Sequence, residues 1–126
     1  MIECGAMQEF VALIPDGNRR IKAQQLGVRK DQLTPDQLHD AYLAGAETVK
    51  KIAERARDEG VGVFAAWGGS AANFTQREPA QLRVLHTIYE HFLTELRENW
   101  LHVTENQDIR FVHMGNEDRI KQRAPG

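Results

Sequence analysis

Phe10-Val11-Ala12-Leu13-Ile14 runs straight into Pro15-Asp16-Gly17-Asn18-Arg19-Arg20, and this junction decides how the chain is read. The five apolar residues are β-rich and few, which predicts a buried strand. Pro15 ends it, because proline donates no hydrogen bond to a sheet ladder. The next residues, Ile21-Lys22-Ala23-Gln24-Gln25-Leu26, favour a helix. A helix N-terminus offers free backbone N–H groups and a partial positive charge, which together hold phosphate. Gly17 lets the backbone approach a ligand closely. Asp16 suits Mg²⁺, which binds through one or two carboxylates plus substrate phosphates. The junction therefore reads as a diphosphate site.

The same turn also fits a simple helix start capped by Asp16 or Asn18. Local charge favours the ligand reading. Residues 16–30 hold five Lys/Arg (Arg19, Arg20, Lys22, Arg29, Lys30) against one acid, whereas residues 78–118 hold eight acids against three arginines. A chain of net charge −2 that gathers its positive charge beside one loop points to a small anionic ligand. It lacks the broad basic face that nucleic-acid binding requires, so no nucleic-acid partner is expected.

At 126 residues the chain is read as one domain with one core. The single cysteine, Cys4, excludes an internal disulfide and fits a reducing compartment. No signal peptide is expected, since the first residues carry Glu3 and no apolar stretch. The longest apolar run, residues 61–67, is far short of the ~20 needed to cross a bilayer. A cytoplasmic protein is expected, with peripheral membrane contact only through a substrate or product.

Secondary-structure signals alternate along the chain. Thr34 as N-cap, Pro35 at the first helical position and Gln37 three residues after the cap start a helix. Leu38, Tyr42, Gly45, Val49, Ile52 and Ala56 share one face of it, and Gly60 stops it. Val61-Gly62-Val63-Phe64-Ala65-Ala66-Trp67 is a second buried strand, followed by a polar loop over residues 68–78. Pro79 opens a further helix with Leu82, Leu85, Ile88, Tyr89, Phe92 and Leu96 on its apolar face. Ile109-Arg110-Phe111-Val112-His113-Met114 is read as a third strand. The order β-α-α-β-α-β predicts an α/β fold: three layers, a mostly parallel sheet and helices on its faces. Ligands of such sheets bind at the carboxyl ends of strands, where both loops, residues 16–20 and 68–77, fall.

These two loops resemble the cis-prenyltransferase family, which includes undecaprenyl diphosphate synthase. The family has a strand ending in an Asp-Gly-Asn-x-Arg turn, matched by Asp16-Gly17-Asn18-Arg19-Arg20. After its second strand it has Ser-x-x-Asn-aromatic followed by Arg and Pro. Here that reads Ser70-Ala71-Ala72-Asn73-Phe74-Thr75-Gln76-Arg77-Glu78-Pro79. Ala44-Gly45-Ala46-Glu47 between them adds a weaker similarity. The match runs from about residue 10 to 115 and covers only the N-terminal half of the family's usual length, so the expected domain, residues 1–126, lacks the family's C-terminal half.

The resemblance implies an enzyme of isoprenoid biosynthesis, a transferase condensing isopentenyl diphosphate with an allylic isoprenyl diphosphate. Asp16 would hold Mg²⁺, and Asp16, Ser70 and Asn73 would serve the chemistry, the last two where the carbon–carbon bond forms and a proton is lost. Gly17, Asn18, Arg19, Arg20, Tyr42 and Arg77 would bind substrate. Val49, Ile52, Leu85, Ile88, Tyr89 and Phe92 would line a tunnel for the hydrocarbon, although such a stripe is more often core. A homo-oligomer, a dimer, is implied as well. The departures are Ala72 for the usual acid before Asn, Ile21 for a tryptophan, Tyr42 for a histidine, a longer loop before it, and Gly68 and Gly69 for bulkier residues. The alternatives are a prenyl-diphosphate-binding relative without condensation chemistry, one part of a larger assembly, or an unrelated nucleotide-binding module. No pair of the five histidines has the spacing of a zinc hydrolase, and Cys4 has no histidine neighbour.

Overall fold

The computed structural model describes residues 9–69 and 76–115. Strands β1 (Phe10–Leu13) and β2 (Val63–Ala66) pair in parallel, with Phe10 opposite Val63 and Leu13 opposite Ala66. A parallel pair cannot be closed by a tight turn and needs a long crossover. Helices α1 (Asn18–Leu26) and α2 (Pro35–Asp58), joined through a short 3₁₀ turn at Lys30–Gln32, supply it. Helix α3 (Pro79–Glu98) follows β2, so the chain is a small α/β domain. No helix among the described residues is long and apolar enough to cross a membrane.

The boundaries of α2 are set by local chemistry. The Thr34 hydroxyl accepts the Gln37 backbone N–H at 3.3 Å, and the Gln37 side-chain oxygen accepts the Thr34 N–H at 2.9 Å, with Pro35 at the first helical position. The helix ends where the Glu59 N–H reaches the Arg55 carbonyl, followed by Gly60. Pro79 opens α3, where a missing N–H costs nothing.

The core lies between helices. Ala23 of α1, Leu38 and Tyr42 of α2, and Leu85 and Ile88 of α3 close on Leu33 from the connecting loop. Burying each of the large aliphatic side chains contributes about 1.5–3 kcal/mol. Lys50 of α2 also bridges to α3, its ammonium lying 3.4 Å from both Glu47 and Glu95. Burial pulls the Lys50 pKa down, but the two carboxylates more than offset this and leave it above the ordinary lysine value.

Three expectations are corrected. The strands are not buried: Phe10 is 63% exposed and Val63 41%, because the helices pack chiefly on one another and leave much of the sheet uncovered. No third strand forms among the described residues; 109–114 carries no ladder, and Met114 is 76% exposed. Strand propensity reflects packing against a paired neighbour, and this stretch has none. Third, Leu85 and Ile88 are closed into the core instead of lining a tunnel, while Ile52 faces solvent.

At the far end of the helix pair, two 3₁₀ turns, Trp100–His102 and Thr104–Asn106, are tied back to α2. The Trp100 indole N–H donates to Glu54 Oε1 at 2.9 Å. Asn106, 1% exposed, accepts from Arg57 Nη1 and donates to the Trp100 carbonyl at 2.9 Å. Asn106→Ala removes both hydrogen bonds of a fully buried side chain, so we expect a loss of about 1–3 kcal/mol. Urea denaturation checks this against Gln107→Ala, an exposed neighbour that should shift stability by less than about 0.5 kcal/mol. Equal midpoints for the two variants would show that the tie carries no stability.

Candidate functional site

The parallel register places the ends of β1 and β2 side by side. The Trp67 N–H donates to the Leu13 carbonyl at 2.9 Å, one step beyond the last ladder pair. From there Ile14-Pro15-Asp16 leads into α1. Gly17 is the N-cap and holds φ +87°, a left-handed conformation that side chains with a Cβ rarely adopt. Asp16 Oδ1 accepts the Gly17 N–H at 2.7 Å, and its Oδ2 pairs with Arg20 Nη2 at 3.0 Å.

The two long crossover helices begin differently. Helix α2 has a reciprocal cap and Asp36 in its first turn, in keeping with its dipole. Helix α1 has no side-chain cap and no acid in its first turn; it begins instead with Asn18, Arg19 and Arg20. Among the described residues no side chain caps its first N–H groups, and two guanidiniums stand at the positive end of the dipole. Cations there are disfavoured by the helix itself. An anion would reverse that cost.

A cleft of about 240 Å³ lies over this helix end. Asp16, Gly17, Asn18, Arg19 and Arg20 form one wall, and Tyr42, Arg77 and Lys30 complete it. All seven described residues predicted at the site meet in this single cleft, although they come from α1, α2 and the segment before α3. Ser70 and Asn73 lie outside the described residues. Four cationic side chains face one carboxylate here, so the cleft attracts anions.

Arg77 is held more firmly than the arginines of the turn. Its Nη1 donates to the Tyr42 hydroxyl at 3.0 Å, and its guanidinium lies 5.9 Å from the centroid of the Tyr42 ring. The Asp16 and Arg20 side chains, in contrast, are 80% and 66% exposed. Their pair is a surface salt bridge, worth about 0–1 kcal/mol and readily opened.

Lys30 was visible in the sequence only as one charge among several. It reaches the cleft because the Lys30–Gln32 turn folds back, fixed by the Arg29 N–H donating to Gln32 Oε1 at 2.9 Å. Gln32 three residues after Arg29 was the available signal. Asp16, expected to hold Mg²⁺, is the one carboxylate among the residues lining the cleft. No group of three or more His, Cys, Asp or Glu suited to a metal occurs among the described residues.

No protein-family model matches this chain, and no curated protein or solved structure is significantly similar to it.

Behind Arg77 lies Tyr89 of α3. Burial pushes its phenol above the ordinary value of 10.0, while the Arg77 charge works in the opposite direction. Because the folded-state pKa is raised, this phenol's contribution to stability is complete below about pH 10 and is lost as pH rises through the folded value. Absorbance at 295 nm should therefore show a phenol ionising above pH 10, and Tyr89→Phe should remove that component. A high-pH component that survives the substitution would place the buried phenol elsewhere.

Proposed function

We propose that this chain binds isoprenyl diphosphates and is a prenyltransferase of the cis-prenyltransferase kind, condensing isopentenyl diphosphate with an allylic diphosphate. The observation that carries the reading is the cleft at the open end of α1, where free helix N–H groups and four cations converge at the carboxyl end of the strands. The order and spacing of the Asp16–Arg20 and Ser70–Pro79 motifs support it independently. So do Ile14 and Trp67, 73% and 54% exposed, which follow the ends of the two strands beside the charged wall and suit a ligand with an apolar tail. On this reading the parallel pair belongs to a larger three-layer α/β fold, and the protein is a cytoplasmic dimer.

In such a condensation the C1–O bond of the allylic substrate breaks and the diphosphate leaves with the electron pair. The isopentenyl double bond attacks C1, and a proton is then lost. Arg19, Arg20, Arg77, Lys30 and the α1 N–H groups would take up the charge that develops on the leaving diphosphate. Asp16 would hold Mg²⁺ against the phosphate oxygens, and the metal when bound supplies further charge neutralisation. Ser70 and Asn73 would stand at the reacting carbons.

One observation favours a binding protein without condensation chemistry. The single carboxylate of the cleft is already engaged by Arg20 and the Gly17 N–H. Two measurements separate the readings. Farnesyl diphosphate at 100 times its dissociation constant should stabilise the fold by about 2.7 kcal/mol in thermal denaturation, and Arg77→Ala should weaken its binding by about 1.5–3 kcal/mol. Incorporation of radiolabelled isopentenyl diphosphate that disappears in Asp16→Ala marks the enzyme; farnesyl diphosphate binding without incorporation marks the binding protein. No stabilisation at millimolar ligand would remove both.

A further inference from the structure

The Asn18 side chain lies against α2 at Gly45. A Cβ built at Gly45 would sit 2.5 Å from Asn18 Nδ2 and 2.6 Å from both its Cγ and Oδ1, distances that real Cβ atoms essentially never show. All three terminal atoms of Asn18 are inside the limit, so the overlap is relieved only if the Asn18 side chain turns away from α2. Gly45 occupies the middle of the 24-residue α2, where glycine is the least favourable residue apart from proline. Nothing in the helix itself requires it. The close approach of Asn18 does.

Asn18 is the first residue of α1 and lines the cleft. Gly45 stands three residues after Tyr42 on α2, so the two fall on neighbouring positions of one helix face. Tyr42 fixes Arg77, while Gly45 receives the residue that begins α1. One face of α2 thus sets both halves of the cleft, the guanidinium and the helix end. Ala23 of α1, 5% exposed, belongs to the same buried cluster as Leu38 and Tyr42 of α2, so the two helices are packed together.

We propose that Gly45 is a positioning residue for the anion cleft: its missing Cβ forms the seat that holds Asn18, and with it the open N-terminus of α1, in register with Tyr42 and Arg77. The proposal rests on the reading of the cleft as an anion site. A side chain at Gly45 would drive Asn18 out of its seat and displace the donor groups from the ligand without touching the ligand itself.

The test is a double-substitution cycle on Gly45→Ala and Asn18→Ala, read by calorimetric titration with inorganic pyrophosphate and by thermal denaturation. Gly45→Ala should weaken pyrophosphate binding roughly three- to tenfold, the scale of one misplaced neutral hydrogen bond. Asn18→Ala should do the same, and the double variant should bind no more weakly than Asn18→Ala alone. In the Asn18→Ala background the overlap is absent, so Gly45→Ala should raise the melting temperature by roughly 3 °C through helix propensity. That double variant also keeps the test usable if Gly45→Ala alone folds poorly, because rescue of folding by Asn18→Ala is itself the expected signature. Gly45→Ala binding pyrophosphate as the parent does overturns the proposal and leaves the anion site standing. Equal losses from Gly45→Ala with and without Asn18 overturn it too, since the effect would not pass through that side chain. A parent protein that does not bind pyrophosphate removes the anion site, and the proposal with it.

Discussion

The parallel pairing of β1 with β2 is the constraint on which the rest depends. Antiparallel strands would be closed by a few residues; parallel ones force the chain back along the full length of the sheet. That return path is α1 and α2, and it brings the ends of both strands to the same edge, where Leu13 accepts the Trp67 N–H. Residues 15–20 then have no choice but to turn at this edge, beside the loop that leaves β2. Everything in the cleft follows from this. The α1 end arrives from one strand, Arg77 from the segment after the other, and Tyr42 from the crossover between them.

Within that geometry, helix electrostatics separate a structural helix start from one left available. Capping a helix with a side chain typically contributes about 1 kcal/mol. Helix α2 takes that stabilisation, and α1 forgoes it while also placing two arginines where the dipole disfavours them. Helix α1 is held instead by packing, through Ala23 in the core and Asn18 at Gly45. Because tertiary contacts maintain it, its N-terminal donors are not needed for its own stability.

What was legible in the sequence was local. Thr34, Pro35 and Gln37 state the start of α2 within four residues, and Gly60 and Pro79 mark their boundaries in the same way, because capping and backbone restriction act over a single turn. The Asp16–Arg20 turn was legible for the same reason. Pairing was not. Residues 109–114 carry the composition of a strand, but composition cannot supply a pairing partner, and among the described residues the stretch stays outside the sheet. The contribution of Lys30 depends on a fold-back through Gln32, and that of Gly45 on the approach of a residue 27 positions earlier. Such spatial relations are invisible to periodicity.

The cations of the cleft differ in how they are held, and this bears on how the site works. Tyr42 belongs to the core cluster and also accepts the hydrogen bond from Arg77, so the position of that guanidinium inherits the rigidity of the packed helices. Arg20 stands largely in solvent and, among the described residues, pairs with Asp16. Arginine carries about 2 kcal/mol of rotamer entropy, and a side chain already ordered has less of it to lose when a ligand arrives. An anion entering the cleft would therefore meet two kinds of charge. The exposed arginines of the turn raise its local concentration and can swing to meet it, at an entropic cost that offsets part of their attraction. The seat itself is set by the prearranged groups, Arg77 on its tyrosine and the N–H groups of a helix end packed against Gly45. On that reading attraction and placement would fall to different residues, and only the second would depend on the core.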